Sequence, residues 1–511
     1  MKVRICTENP NFLQIYEATD KELTQIEYSF KPFVDNYRFN PKYKRGIWDG
    51  RISFYSKHKR LIPIGLWNQL CVVAKEFDFE CFIEDIDEIV DQNFIFEEFE
   101  EWIRDFFKDH PLYCIGGEKE VRDYQIKSAF NILQFRLSTS EIATSAGKTL
   151  IMFIVFAYLF STNKIKNYLI IVPTTSLILQ GMEDFEEYNN GKLKFDILPV
   201  HAGTKKDRTG YEIIFGTFQS LTKQETEWFA DIDVICVDEC HTAQNQSIRD
   251  IISKCPGLKY RYGLSGTAKK HPNSANHYTL QAYLGPYVND ISAKFLIDNK
   301  FATQVFVKVV RMNYLEDDIK KKLQELRYKR HEIEGTKLLN IEKKLVIDNR
   351  KRFLYVTDFI SKATKNSLVL FADIKYGYGR KIYDWLRQNT DKTVYYIDGD
   401  TSTKNRDLYF SEMEEGNNKI LVASFLTCSQ GISINNLHNL FLVESYKSDK
   451  IIRQSIGRGM RKQKNKERTT IIDFCDDFSM KTQGYLRKHS EERIQTYKEQ
   501  GFPFKIFEVN Y

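Results

Sequence analysis

Paired cysteines are the first thing missing. Nine Cys are scattered through 511 residues, with no C-x-x-C pair and no Cys/His spacing of a zinc site. Cys236 and Cys240 flank an acidic pair with His241 adjacent, but Cys236 sits inside an apolar strand and no second ligand pair accompanies it. An odd Cys count without a signal peptide fits a reducing cytoplasm, not a disulfide framework. Long apolar runs are also missing: the longest, around Leu150–Phe160, is too short to span a bilayer. There is no low-complexity tract. Nor is there a strong excess of one charge, because 75 basic against 69 acidic residues leave +6. That sum permits a polyanionic partner without demanding one, so the placement of charge matters more than its total. A soluble intracellular protein is expected.

What is present is enough chain for three or four domains of ordinary size. The stretch richest in chemistry is Ile142-Ala143-Thr144-Ser145-Ala146-Gly147-Lys148-Thr149, which runs straight into Leu150–Phe156, read as a buried helix. A phosphate-binding loop needs a tight turn with backbone N–H groups facing phosphate oxygens. It also needs a Lys for the terminal phosphates and a hydroxyl for Mg²⁺. Gly147, Lys148 and Thr149 supply these in order, and the helix adds the positive end of its dipole. Ile142 stands where the usual pattern has its first glycine, so an ordinary loop before a core helix is the rival reading.

Apolar strands alternating with helices follow, the signature of a parallel α/β sheet. Tyr168–Val172 runs into Pro173, with Thr174, Thr175 and Ser176 capping the next helix. Glu212–Gly216 ends in Thr217, Val234–Val237 in Asp238-Glu239-Cys240-His241, and Tyr262–Leu264 in Ser265-Gly266-Thr267. Hydroxyl-rich and acidic turns thus fall at strand C-termini, where open sheets bind ligands. Beyond a strand-like piece at Val305–Met312 and a charged helical stretch near 315–360, a second α/β unit follows. Its expected strands are Ser367–Phe371, Val394–Ile397, Ile420–Ala423, Leu440–Val443 and Thr469–Phe474. The expected domains are 1–109, 110–295, 296–485 and a C-terminal helical tail, 486–511.

In the first 109 residues, Lys2–Cys6 and Leu13–Tyr16 read as short strands. The segment from Tyr37 to Arg51 interleaves aromatic and basic residues, among them Arg38, Lys42, Lys44, Arg45, Trp48 and Arg51. Such a surface can neutralise phosphates while rings stack on bases or sugars. The plainer reading is a hairpin whose aromatics fill a small core. Asp91–Asp109 reads as an amphipathic helix packed against core.

Asp238-Glu239 at a strand end offers one carboxylate for a Mg²⁺ water shell and one to deprotonate an attacking water. Phosphoryl transfer builds charge that arginines stabilise, and Arg458 and Arg461, at (i, i+3), share one face of a helix. They belong to a different α/β unit from Lys148. If they complete the site, ATP binds between two domains and its hydrolysis shifts one against the other.

In chain order, Gln125, the loop ending at Thr149, Pro173-Thr174, the Asp-Glu-Cys-His box, Ser265-Gly266-Thr267, Ser424 to Gly431 and Gln454 to Arg461 resemble the motifs of superfamily-two helicases, over about residues 111–480. Thr144–Lys148, Tyr37–Pro41 with Trp48–Arg51, and Gly431-Ile432-Ser433 narrow the resemblance to the recombination and replication-restart helicases of T-even-like phages. It implies an α/β chain of two tandem RecA-like parallel-sheet domains with a small N-terminal α+β domain. It implies an ATP-dependent DNA helicase or branch-migration translocase acting on forks, Holliday junctions, D-loops and R-loops in recombination, repair and replication restart.

By the same resemblance Gln125, Ser145, Ala146, Gly147, Lys148, Thr149 and Gln454 bind ATP, and Thr149 and Asp238 hold Mg²⁺. Glu239 activates water, and Arg458 and Arg461 act as arginine fingers. His241, Ser265 and Thr267 couple nucleotide to nucleic acid, while Pro173, Thr174, Gly203, Thr217, Ser424 and Gly431 lie along its backbone. The implied partners are branched or duplex DNA, RNA–DNA hybrids, and single-strand-binding or recombination proteins. The implied state is a monomer in the host cytoplasm, with no membrane partner. Ser433 stands where many relatives carry Asp, so no carboxylate contact to ribose is expected. An RNA helicase and an ATP-gated annealing or binding protein stay open as alternatives.

Overall fold

The first strands bury every second side chain, as a sheet covered on one face requires. Lys2–Ile5 (β1), Phe12–Glu17 (β2), Leu61–Pro63 (β3) and Phe82–Ile83 (β4) form a mixed sheet in the order β3-β2-β1-β4. Val3, Leu13, Ile15 and Ile62 pack with Ile26, Leu70 and Val73 from the helices Asp20–Ser29 and Trp67–Glu76. The computed structural model describes residues 1–113, 119–204, 207–242, 245–266, 274–314, 317–328, 335–372, 376–425, 427, 434–445, 456–457 and 466–510. The chain forms two compact units, Met1–Ala143 with Gly147–Ile291, and Ser292–Tyr511 with Thr144–Ala146. The break expected at 295/296 thus falls at Ile291/Ser292.

The small N-terminal domain does not close its own core, since Leu137, Tyr278 and Ala282 belong to the same apolar cluster. At Gly65 the approach is closest: a Cβ there would stand 2.0 Å from the Gln281 carbonyl oxygen and 2.8 Å from that of Ala282. Backbone cannot yield as a side chain can. Gly65→Ala is therefore expected to cost about 1–3 kcal/mol by overpacking, seen as a lower midpoint in urea unfolding. An unchanged midpoint would mean that this contact is not under pressure. The helix Phe96–Phe107 packs the same way, with Phe99, Trp102 and Phe106 meeting Phe130, Tyr158 and Phe153. The amphipathic face foreseen at 91–109 covers the core of the domain that follows it.

That domain is built on Leu137–Ile142 (β5), Tyr168–Val172 (β6), Ile197–Val200 (β7), Ile213–Thr217 (β8), Val234–Asp238 (β9), Tyr260–Ser265 (β10) and Tyr287–Ile291 (β11). They form one parallel sheet in the order β11-β5-β10-β9-β6-β8-β7. All C-terminal ends share one edge. The connection from β5 to β6 skips β10 and β9, and the chain later returns to the far side of β5 as β11. A change of winding direction is where such sheets bind ligands. Three strands escaped the sequence reading. β7 and β11 are short edge strands, and Pro199 is tolerated in β7 because an edge N–H needs no partner. β5 is buried yet built from Ser138, Thr139 and Ser140, so no apolar run marks it. Two of its hydroxyls find partners on the neighbouring β11 side of the chain: Thr139 Oγ1 donates to the Gly285 carbonyl at 2.9 Å, and Ser140 Oγ accepts from Asn289 Nδ2 at 2.9 Å.

The second unit repeats the architecture with Gln304–Asn313 (β12), Ser367–Phe371 (β13), Val394–Ile397 (β14), Ile420–Ser424 (β15), Asn439–Leu442 (β16), Arg468–Asp477 (β17) and Phe504–Asn510 (β18). The order is β14-β15-β13-β16-β17-β12-β18, all parallel. The helices Asp317–Tyr328, Gly335–Asp348 and Arg350–Ser361 occupy the charged stretch. The expected helical tail at 486–511 needs correcting. The helix Tyr485–Glu499 packs on β17, and the chain then returns as β18 beside β12. Phe504-Lys505-Ile506-Phe507-Glu508-Val509-Asn510 carries a strand's apolar and β-branched content, and a residue-by-residue pairing with β12 satisfies its backbone. Among the described residues no helix is long and apolar enough to cross a membrane.

Candidate active site

Ile142 is the last residue of β5 and fully buried, so it belongs to the strand and not to the phosphate loop. The turn is made instead by two left-handed residues, Ser145 at φ 72 and Gly147 at φ 83. Such residues aim backbone N–H groups into a shared concavity that suits an anion. Gly147 caps the helix Lys148–Ser161, whose N-terminus faces the same way. A Cβ on Gly147 would fall 2.3 Å from Gln125 Nε2. The buried Gln125 is held by the Arg122 N–H, which donates to its Oε1 at 3.0 Å. Gly147→Ala would combine an unfavourable φ with that clash. Its nucleotide affinity is expected to fall more than about tenfold in a fluorescent-nucleotide titration. Affinity near that of the wild type would show that this turn is not the cradle.

Lys148 and Thr149 open that helix, and Lys148 Nζ lies 2.5 Å from Glu239 Oε1. Asp238 ends β9, and Glu239 follows in a left-handed conformation at φ 47, its N–H donating to Asp238 Oδ1 at 2.9 Å. His241 Nδ1 stands 3.4 Å from Glu239 Oε2 and is hydrogen-bonded to Ser265 Oγ at the end of β10. Strand register makes this possible, because β10 lies between β9 and β5 with Leu264 opposite Asp238 and Ser265 opposite Glu141. Burial pulls the Lys148 ammonium down, but the Glu239 and Asp238 carboxylates outweigh it and hold the group charged above the ordinary lysine range. Burial pushes the Asp238 carboxyl up to about 6, with Lys148 acting against that and Glu239 adding to it. The Cys236 and Cys240 thiols are pushed up by burial, so they stay protonated and are poor metal ligands.

Pro173 and Thr174 follow β6, Thr217 ends β8, and Gly203 lies just beyond β7. Those three strands are neighbours, so the four residues share the sheet edge that also carries Lys148, Asp238, Glu239 and Ser265. In the second unit Ser424 ends β15, its Oγ 2.7 Å from Thr427 Oγ1. Thr267, Gly431, Ser433, Gln454, Arg458 and Arg461 lie outside the described residues.

The basic and aromatic segment is not a hairpin. It is a loop closed at its base, where the Val34 N–H donates to the Gly50 carbonyl at 2.8 Å and Phe33 bridges to Arg51. Trp48 and Arg51 face into it: Trp48 Nε1 donates to the Arg51 carbonyl at 2.7 Å, and the Arg51 guanidinium lies 4.1 Å from the Phe33 ring centre. Phe33 stacks on Tyr37 at 4.5 Å, and Tyr43 meets Tyr37 edge-on at 4.8 Å. Arg38, Lys42, Lys44 and Arg45 stay in solvent. Sequence reasoning passed over Phe39 and Ile47, which are 75% and 70% exposed. The available signal was apolar residues inside the run from Asn36 to Trp48, which has no carboxylate.

A family model described as DNA helicase UvsW, N-terminal, matches residues 10–84. One described as Type III restriction enzyme, res subunit, matches 118–270, and Helicase conserved C-terminal domain matches 351–463. The ATP-dependent DNA helicase uvsW of Enterobacteria phage T4 is 30% identical over 514 residues, covering 97% of this chain and 96% of that protein. The chain belongs to the UvsW helicase family. As a UvsW-family member it is an ATP-dependent DNA helicase, with two tandem RecA-like domains behind the small N-terminal one. The crystal structure of T4 UvsW aligns over 100% of both chains at 28% identity and a TM-score of 0.49. The ATP-dependent Type ISP restriction-modification enzyme LlaBIII bound to DNA shares the fold at 16% identity and a TM-score of 0.55, over 77% of this chain and 32% of that one.

Proposed function

We propose that this UvsW-family helicase uses ATP to migrate and unwind branched DNA, including forks, Holliday junctions, D-loops and R-loops, in recombination, repair and replication restart. The observation that carries this reading is the polar chain Lys148–Glu239–His241–Ser265, which joins the phosphate loop to the turns along one sheet edge. The substrate's phosphates sit in the turn at Ser145, Ala146 and Gly147, with Gln125 at the base and Lys148 on the terminal phosphates. As the lysine ammonium pairs with phosphate oxygens instead of Glu239, that carboxylate is freed to take a proton from water. His241 touches both Glu239 and Ser265, so it passes that change to the turn after β10, where Thr267 follows.

The Thr149 hydroxyl and the Asp238 carboxylate are hard oxygen donors beside the loop and would hold Mg²⁺. Bound there, the ion would neutralise phosphate charge. Arg458 and Arg461 stabilise the charge that develops on the transferred group, with Gln454 beside the terminal phosphate. Pro173, Thr174, Gly203 and Thr217 lie along a nucleic-acid backbone, and Ser424 and Gly431 do so on the second unit. Arg38, Lys42, Lys44 and Arg45 bind phosphates near the branch, while Trp48 and Arg51 brace their loop. The protein works as a monomer in the host cytoplasm, and RNA–DNA hybrids are among its substrates.

A strand-displacement panel of forks, four-way junctions, RNA–DNA hybrids and linear duplexes tests this, with and without ATP, using wild type and Lys148→Ala. Branched substrates are expected to be resolved about tenfold faster than linear ones, and only with ATP and Lys148. Equal rates on linear duplex would remove the branch preference. Displacement untouched by Lys148→Ala would leave an annealing or binding protein.

A further inference from the structure

The loop between Val34 and Gly50 carries more than phosphate binding uses. From Asn36 to Trp48 it holds Arg38, Lys42, Lys44 and Arg45 and no carboxylate. Among those cations stand Phe39 and Ile47, large apolar side chains that folding leaves in water. Single exposed apolar residues need no explanation. Two in the acid-free stretch from Asn36 to Trp48 do, because against the described residues both stay mostly in water.

The loop also holds them in place. The Phe39 N–H donates to the Asn36 carbonyl at 2.9 Å and the Ile47 N–H to that of Lys42 at 3.0 Å. Beneath them lies the Phe33–Tyr37–Tyr43 stack, closed at the base by Arg51. The base is tied in turn to the domain that hydrolyses ATP. Phe33 bridges to Ser274, the Ala275 N–H donates to the Phe33 carbonyl at 2.8 Å, and Asn276 Nδ2 donates to Asp35 Oδ2 at 2.5 Å. These residues open the helix Ala275–Leu284, downstream of Ser265 in the same domain. A branch point in DNA presents what such a loop fits: the apolar face of a base pair with phosphates on either side. Apolar side chains that enter a base step unstack it. An acidic protein surface would match the cations but offers no flat apolar face between the charges.

We propose that Phe39 and Ile47 form a separation pin that stacks on the terminal base pair at a DNA branch, while Arg38, Lys42, Lys44 and Arg45 hold the flanking phosphates. The pin rests on the reading of this loop as a DNA-binding surface. Because the loop is anchored to the domain that carries Lys148 and Glu239, base pairs are driven onto it as that domain advances.

The test uses forks with 2-aminopurine at the branch-point pair. They are titrated with full-length wild type, Phe39→Ala/Ile47→Ala and Lys42→Ala/Lys44→Ala/Arg45→Ala. The double variant alters only exposed side chains. It is expected to bind forks within about threefold of wild type, and ATP hydrolysis stimulated by unbranched single strands stays within about twofold. The 2-aminopurine fluorescence rise is lost, and strands displaced per ATP fall about tenfold or more. Phe39→Trp, which keeps a flat ring, retains the signal. A double variant that brightens the probe and displaces strands like wild type overturns the pin. So does one that loses fork binding as fully as the triple variant, since the residues would then belong to a general clamp or to a surface for an acidic protein. If the triple variant binds forks like wild type, the DNA-binding reading of the loop falls and the pin with it.

Discussion

Lys148→Ala is expected to slow DNA-stimulated ATP hydrolysis about 10³-fold, roughly 4 kcal/mol of barrier. The reason lies in the company the lysine keeps. Its ammonium is 2.5 Å from Glu239 and close to Asp238, with the Lys148 and Glu239 side chains only 13% and 15% exposed. Charges so placed interact far more strongly than on an open surface. Without the lysine, two carboxylates face the incoming polyphosphate uncompensated, so binding weakens as well as turnover. Glu239→Gln separates the two effects. Its amide neither repels phosphate nor accepts a proton, so nucleotide affinity holds or rises while turnover falls about 10²–10⁴-fold. Single-turnover phosphate release and nucleotide titration read the two quantities independently. A Glu239→Gln enzyme that turns over within about tenfold of wild type would end the assignment of Glu239 as the base.

Arg352→Met is expected to destabilise the second unit by about 3–5 kcal/mol. Arg352 and Asp476 are both fully buried, with Nε 2.6 Å from Oδ1 and Nη2 2.8 Å from Oδ2. The guanidinium also donates to the Tyr378 hydroxyl at 2.6 Å and to the Val443 carbonyl at 2.9 Å. Asp476 accepts from the Tyr314 hydroxyl at 2.7 Å as well. Removing the arginine leaves a buried carboxylate with no countercharge, and that desolvated group is the cost. Arg352→Met combined with Asp476→Leu should therefore recover most of the loss, because an apolar pair needs no compensation. Urea unfolding followed by circular dichroism measures both. A double variant as unstable as the single one would show that the network's geometry matters, not the orphaned charge. A second buried pair joins Asp473, on the same strand as Asp476, to Arg493 of the helix Tyr485–Glu499, with both contacts at 2.9 Å and the Tyr497 hydroxyl bracing it at 2.8 Å.

The candidate site was legible in sequence to the extent that its chemistry is contiguous. Gly147-Lys148-Thr149 and Asp238-Glu239 can each be read without knowing the rest, because a turn or a strand end places neighbouring residues together. The conformation of the turn could not be read that way. Ile142 looked like a misfit in the loop because the pattern counts residues, whereas the structure ends β5 at Ile142 and bends at Ser145 and Gly147. β5 itself was hidden, since the hydroxyls of Thr139 and Ser140 are buried against Gly285 and Asn289, partners far along the chain. At the N-terminus, the interleaved residues showed that a charged aromatic surface exists but not which side chains face out. The fold turned Trp48 and Arg51 inward and left Phe39 and Ile47 exposed.

By itself the sequence determined two α/β domains behind a small first one, the order of the motifs, and which residue types are available at each strand end. Local steric and polar preferences write these into short stretches. Only the tertiary structure decided that Lys148 meets Glu239, that His241 bridges Glu239 and Ser265, and that the chain's last strand lies beside β12. Those contacts join residues 91, 24 and nearly 200 positions apart. They depend on strand order and register, which are set by how whole sheets bury their apolar faces and not by any window of the chain.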